Sequence, residues 1–110
     1  MIALPLLATP AQTFQIVLGN QDCQISLYQR GDALYSDLDV GGVSIWRGVI
    51  CRNLVSLKSY GYLAFSGELF FCDMQGLADP RAEGLGDRWP LFYLAASESW
   101  PAALQQRGLA

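Results

Sequence analysis

Short runs in which apolar and polar residues alternate, two-residue turns built on glycine between those runs, and the lack of any long helical periodicity predict an all-β chain. The expected architecture is a set of antiparallel hairpins forming a small barrel or sandwich. The first hairpin carries the strongest signal. Phe14, Ile16 and Leu18 fall on one face of a strand, Gly19-Asn20 supplies the turn, and Cys23, Ile25 and Leu27 return. Pairing Leu18 with Gln21 sets Ile16 against Cys23 and Phe14 against Ile25, so turn chemistry and apolar pattern require one register.

A second hairpin runs Leu34, Leu38 and Val40 into Gly41-Gly42, and Val43, Ile45 and Val49 return on the same face. On that reading Tyr35, Asp37 and Asp39 share the opposite face with Ser44 and Trp46. A third hairpin would join Tyr60–Phe65 to Glu68–Cys72 through Ser66-Gly67. Its nearly continuous apolar content predicts burial on both faces. Residues 76–87 read as a loop broken by Asp79-Pro80 and Gly84-Leu85-Gly86, and Leu91–Ala95, entered through Pro90, as a last strand. Ser99 and Pro101 could start a short C-terminal helix. Residues 1–96 are therefore expected to form a single β domain and residues 97–110 a tail.

Composition narrows the function. Apolar residues make up 52% of the 110 positions and charged residues 15%, against about 25% charged in an average soluble domain. So few charges leave apolar surface for partners, which predicts membership of an oligomer or complex. Seven basic and ten acidic residues give a net charge of −3, which repels phosphate and disfavours nucleic-acid binding. No run reaches the 18 or more apolar residues of a membrane span. Met1–Leu7 has no Lys or Arg and is broken by Pro5, unlike a secretory signal. Cys23, Cys51 and Cys72 are odd in number and widely spaced, as expected of reduced, buried thiols.

No constellation reads as catalytic, so the expectation is no enzyme, no cofactor and no metal. Histidine is absent, which removes the commonest general base and metal ligand. Lys58, the one lysine, stands in no dyad spacing with Ser56. The acidic loop Asp79–Asp87 lacks the dense oxygen ligands of a calcium loop and is read as a turn with salt bridges to Arg81 or Arg88. Arg47, between Ile45 and Val49, is placed on the apolar side of the second hairpin, where it needs a partner: Glu68, Asp87 or another subunit. Trp46, Tyr60, Tyr62 and Trp89 are core candidates of a type that also anchors interfaces.

Several ordered motifs resemble a known family. They are Leu4-Pro5-Leu6, Ala11-Gln12-Thr13-Phe14, Trp46-Arg47-Gly48-Val49-Ile50-Cys51-Arg52-Asn53, Gly67-Glu68-Leu69-Phe70-Phe71-Cys72-Asp73, Asp79-Pro80, Gly84-Leu85-Gly86-Asp87-Arg88 and Leu91-Phe92-Tyr93. In order and spacing, over about residues 2–95, they resemble the phage baseplate plug family, typified by a cyanophage plug. The resemblance implies a virion structural protein of a contractile tail, assembled in the host cytoplasm. It would lie near the tube axis beside hub, tube-initiator and spike-region proteins, assist assembly and close the channel before DNA ejection. Trp46, Gly48, Asp79, Pro80, Gly86 and Arg88 become turn, packing or contact residues. The candidate interface or packing set is Trp46, Arg47, Tyr60, Tyr62, Asp79, Arg88 and Trp89. The alternative is a small β-barrel that binds a peptide or sugar in an aromatic cleft of Tyr60, Tyr62 and Trp89. A carboxylate-only enzyme would instead need a cleft holding two acids of unequal pKa.

Overall fold

The computed structural model describes residues 1–58, 64–96 and 98. Its seven strands are β1 (Ile2–Leu4), β2 (Ala11–Leu18), β3 (Gln21–Arg30), β4 (Ala33–Val40), β5 (Val43–Ile50), β6 (Glu68–Phe71) and β7 (Leu91–Leu94). They form a four-stranded meander, β2-β3-β4-β5, and a three-stranded sheet, β1-β7-β6, every pairing antiparallel. The two sheets pack face to face with their edges open, so the all-β chain is a sandwich and the closed-barrel alternative does not hold. The expected C-terminal helix falls in 97–110, outside the described residues apart from Glu98.

The first hairpin has the expected register: Leu18 pairs with Gln21, Ile16 with Cys23 and Phe14 with Ile25. Gly19 and Asn20 both take positive φ, 56° and 62°, as a two-residue turn matching the strand twist requires. Cys23, Ile25 and Leu27 on β3 and Leu34 and Leu38 on β4 are buried, while their sequence neighbours are not, except Ser36 on the same inner face.

The second hairpin departs from the regular reading at two places. Val40 pairs with Val43 and Asp39 with Ser44, but Leu38 then faces Trp46 and Ser36 faces Val49. Each irregularity inserts one extra residue into β5. The first turns Trp46 inward, correcting the expectation that it shares a face with Asp37 and Asp39. Buried Trp46 donates its indole N–H to Ser36 Oγ at 3.2 Å, and Ser36 Oγ–H donates to the Val49 carbonyl at 3.3 Å. One extra residue reverses the side chains that follow it until the second bulge restores the pattern at Val49, so Arg47 goes outward and not to the apolar side.

The first strand of the third expected hairpin falls largely outside the described residues. Residues 59–63 lie outside the described set, Phe65 and Ser66 are not in a strand, and β6 pairs with β7 instead. Burial of β6 on both faces is as expected. Leu69 and Phe71 point into the inter-sheet core, and Phe70 packs with Leu54, Leu94 and Phe92 on the other side. The Phe70 and Phe92 rings lie 5.6 Å apart. β1 was not anticipated, because three residues carry too little alternation to register.

Between the sheets, Trp46 meets Phe65 edge-on at 5.9 Å and Phe65 meets Tyr93 at the same distance. This aromatic run ties β5 to β7. Gly67, at φ 100°, lets the chain pass Tyr93: a Cβ there would stand 2.6 Å from the Leu94 carbonyl oxygen and 2.7 Å from the Tyr93 ring.

Candidate interaction surface

One end of the sandwich is made by the loop 72–90 with Arg52 and Asn53 against it, and its electrostatic centre is Asp73. This carboxylate follows four apolar residues of a buried stretch and is itself fully buried. A buried charge is tolerated only when every lone pair is used. Arg88 supplies two parallel hydrogen bonds, Nε to Oδ1 and a terminal guanidinium N to Oδ2, both 2.8 Å. The backbone N–H groups of Gln75 and Ala78 donate to Oδ1 and Oδ2 at 2.9 and 2.8 Å. The Arg88 guanidinium, first, and these backbone donors outweigh desolvation and hold the Asp73 carboxyl well below the usual carboxylate range.

Around this pair the two segments are sewn together. The Asp73 N–H donates to Asn53 Oδ1 at 2.7 Å, and the Asn53 N–H donates to Asp79 Oδ1 at 3.0 Å. Exposed Asp79 also faces Arg52 at 3.8 Å. Arg88 lies over the Trp89 ring at 4.5 Å, and buried Trp89 donates its indole N–H to the Ala78 carbonyl at 3.1 Å. Asp79, Arg88 and Trp89 thus come together as one loop-fixing cluster. The ion pair of Arg88 is with Asp73, upstream of the acidic loop where a partner was expected. Met74 and Leu77, on the loop this cluster fixes, project outward at 60% and 75% exposure, an apolar tip on a rigid base.

A second group lies on the outer face of the four-stranded sheet. Asp37 Oδ1 accepts the Gly48 N–H at 2.7 Å and the Tyr28 hydroxyl at 3.1 Å. Arg47 contacts Asp37 at 3.5 Å and Asp39 at 2.7 Å. Its partners are therefore two carboxylates on neighbouring β4; neither Glu68 nor Asp87 holds it. Gly48 takes φ 63°, and Asp37 satisfies the amide that the second bulge frees from the ladder. Tyr28 and Tyr35 stack at 6.0 Å with Arg30 over Tyr28 at 5.2 Å, bordering a shallow depression of about 310 Å³. Burial, then the hydrogen bond to Asp37, raises the Tyr28 hydroxyl above its ordinary value.

Of the remaining sequence-derived candidates, Trp46 is core, and Tyr60 and Tyr62 lie outside the described residues. The proposed Tyr60, Tyr62 and Trp89 cleft has its one described member, Trp89, buried. Sequence reasoning missed Asp73 and Asp37 as anchors. The available signals were an aspartate directly after Leu69–Cys72, with Gly76 three residues on as in a side-chain-capped turn, and an aspartate two residues from another opposite an arginine.

Residues 1–96 match the family described as cyanophage baseplate Pam3 plug gp18. The chain belongs to this baseplate plug family. A search of the curated proteins finds no match. Membership assigns the plug a structural role in the phage tail baseplate, as a virion component that interacts with other baseplate components, and such a role requires no catalysis. No helix among the described residues is long and apolar enough to cross a membrane.

Proposed function

We propose that this plug sits near the axis of the tail tube against the hub and tube-initiating proteins. There it braces the baseplate during assembly in the host cytoplasm and helps close the channel until DNA ejection. The observation that carries this reading is the apolar tip of Met74 and Leu77 on a loop locked by buried Asp73 and Arg88. A loop already ordered before docking gives up little conformational entropy on binding, and two large apolar side chains suit the dry centre of an interface. Exposed Asp79 supplies a polar contact beside this tip and Arg88 and Trp89 hold the loop beneath it, while exposed Arg47 offers a second contact on the outer face of the four-stranded sheet and Trp46 packs the core.

The test is co-expression of the tagged chain with the hub and tube-initiator of its own particle, followed by reconstruction of intact tails. The plug is expected to co-purify with both proteins and to lie beside the axis. Density for it only at the baseplate periphery, or co-purification with neither protein, contradicts the reading.

A further inference from the structure

A sandwich with open edges must keep those edges from recruiting stray strands, and three of the four edges here are visibly protected. β1 is only three residues long. The outer edge of β6 is capped by the 51–57 segment, whose Leu54 and Leu57 N–H groups donate to the Phe71 and Leu69 carbonyls at 2.8 Å. β5 is interrupted by two bulges and carries exposed Arg47. β2 has none of these devices. Its eight residues, Ala-Gln-Thr-Phe-Gln-Ile-Val-Leu, contain no charge and no proline, its register with β3 is unbroken from Ala11 to Leu18, and Val17 is 66% exposed.

Backbone direction can be read from the neighbouring bonds. The Pro10 carbonyl accepts from Gln29 on β3, whereas the Asp22 carbonyl, opposite Val17, accepts from Gly41 on the β4 side. Even-numbered residues of β2 therefore turn their backbone groups toward β3, and those of Ala11, Thr13, Gln15 and Val17 point away from it. Among the described residues no backbone group meets them.

We propose that this edge is a docking site for β2 of a second copy of the chain, antiparallel about a two-fold axis through Gln15. The occupant follows from self-complementarity. A two-fold axis normal to the sheet keeps both inner faces on the same side, so inward residues must pair with inward ones. Centring on Gln15 sets Phe14 against Ile16 on the core side and Thr13 against Val17 and Gln15 against itself on the outer side. Each outward backbone group from Thr13 to Val17 then finds a partner, about six hydrogen bonds in all. Phe14 and Ile16, half-buried at the rim of the core, are covered by each other's copies, and no like charges meet. A tail has a direction and a two-fold pair has none, so this pairing belongs to the free protein before it enters a particle.

The full chain should sediment as a dimer at micromolar concentration. Gln15→Cys should form a disulfide-linked dimer under mild oxidation, since paired backbones bring that position within disulfide range, while Ser44→Cys on the opposite edge should not. Gln15→Lys, which sets two like charges face to face, should keep the wild-type circular dichroism spectrum and weaken association about tenfold or more. A monomer at all concentrations, an association unaffected by Gln15→Lys, or equal cross-linking through Ser44→Cys overturns the proposal.

Discussion

Arg88 holds Asp73 through two parallel hydrogen bonds of 2.8 Å, and the carboxylate they bind has no exposed surface at all. This pair sets the shape of the loop end, because the same two oxygens also anchor the N–H groups of Gln75 and Ala78.

Its pH dependence follows from the depressed carboxyl. A group ionised more readily in the folded chain than in the unfolded one stabilises the fold above the ordinary carboxylate pKa, and that contribution is lost as pH falls toward the native value. The melting temperature should fall between about pH 4 and pH 2. Asp73→Asn should melt lower at pH 7 and show a flatter acid limb when both are followed by circular dichroism.

Asp37 and Arg47 form an ion pair yet should differ greatly on substitution. Asp37→Ala strips partners from the Gly48 amide and the Tyr28 hydroxyl, a cost of about 1–3 kcal/mol. The Arg47 side chain is more than half exposed, so Arg47→Ala should cost at most about 1 kcal/mol. Urea titrations of the two variants measure the difference.

Trp46→Ala should cost about 3–5 kcal/mol, since it empties an inter-sheet position beside Phe65 and leaves Ser36 without its indole donor. Gly67→Ala should be similarly disruptive, because its Cβ would meet the Leu94 carbonyl and the Tyr93 ring at a positive φ. Equilibrium unfolding checks both.

Cys51 is buried, and that burial pushes its thiol up to about 12. In the native protein it should not react with Ellman's reagent at pH 8, whereas the unfolded chain should expose it. With the folded value above the unfolded one, stability is intact below about pH 9 and declines above it, by up to about 1.4 kcal/mol per pH unit. Cys51→Ala should flatten that alkaline decline.

The first hairpin was legible because Gly19-Asn20 and the run from Phe14 to Leu27 impose the same register, and no longer-range information was needed. The position of Trp46 was not legible. A bulge at β5 depends on what Leu38 and Ser36 can pack against across the sheet, and the Val43–Ile50 pattern reads equally well without it. Arg47 followed Trp46 into the same error, because one inserted residue reverses the side chains up to the next bulge. The partner of β6 was missed for a different reason: Leu91–Leu94 is distant in sequence, and Ser66-Gly67 imitates a hairpin turn while serving to pass the chain over Tyr93. The loop cluster showed its residue types in Asp79, Arg88 and Trp89, but the role of its centre, Asp73, rests on burial, the paired Arg88 contacts and two backbone donors, which only the folded chain brings together.

The most direct test of the account is to alter the loop tip without disturbing its base. Leu77→Asp combined with Met74→Asp changes two exposed side chains and should leave the melting temperature and tryptophan fluorescence of the free protein unchanged. Tails assembled with this variant should lack the plug when purified and analysed by quantitative mass spectrometry. Incorporation of the variant at the wild-type ratio to hub protein would contradict the claim that this loop docks the plug in the baseplate.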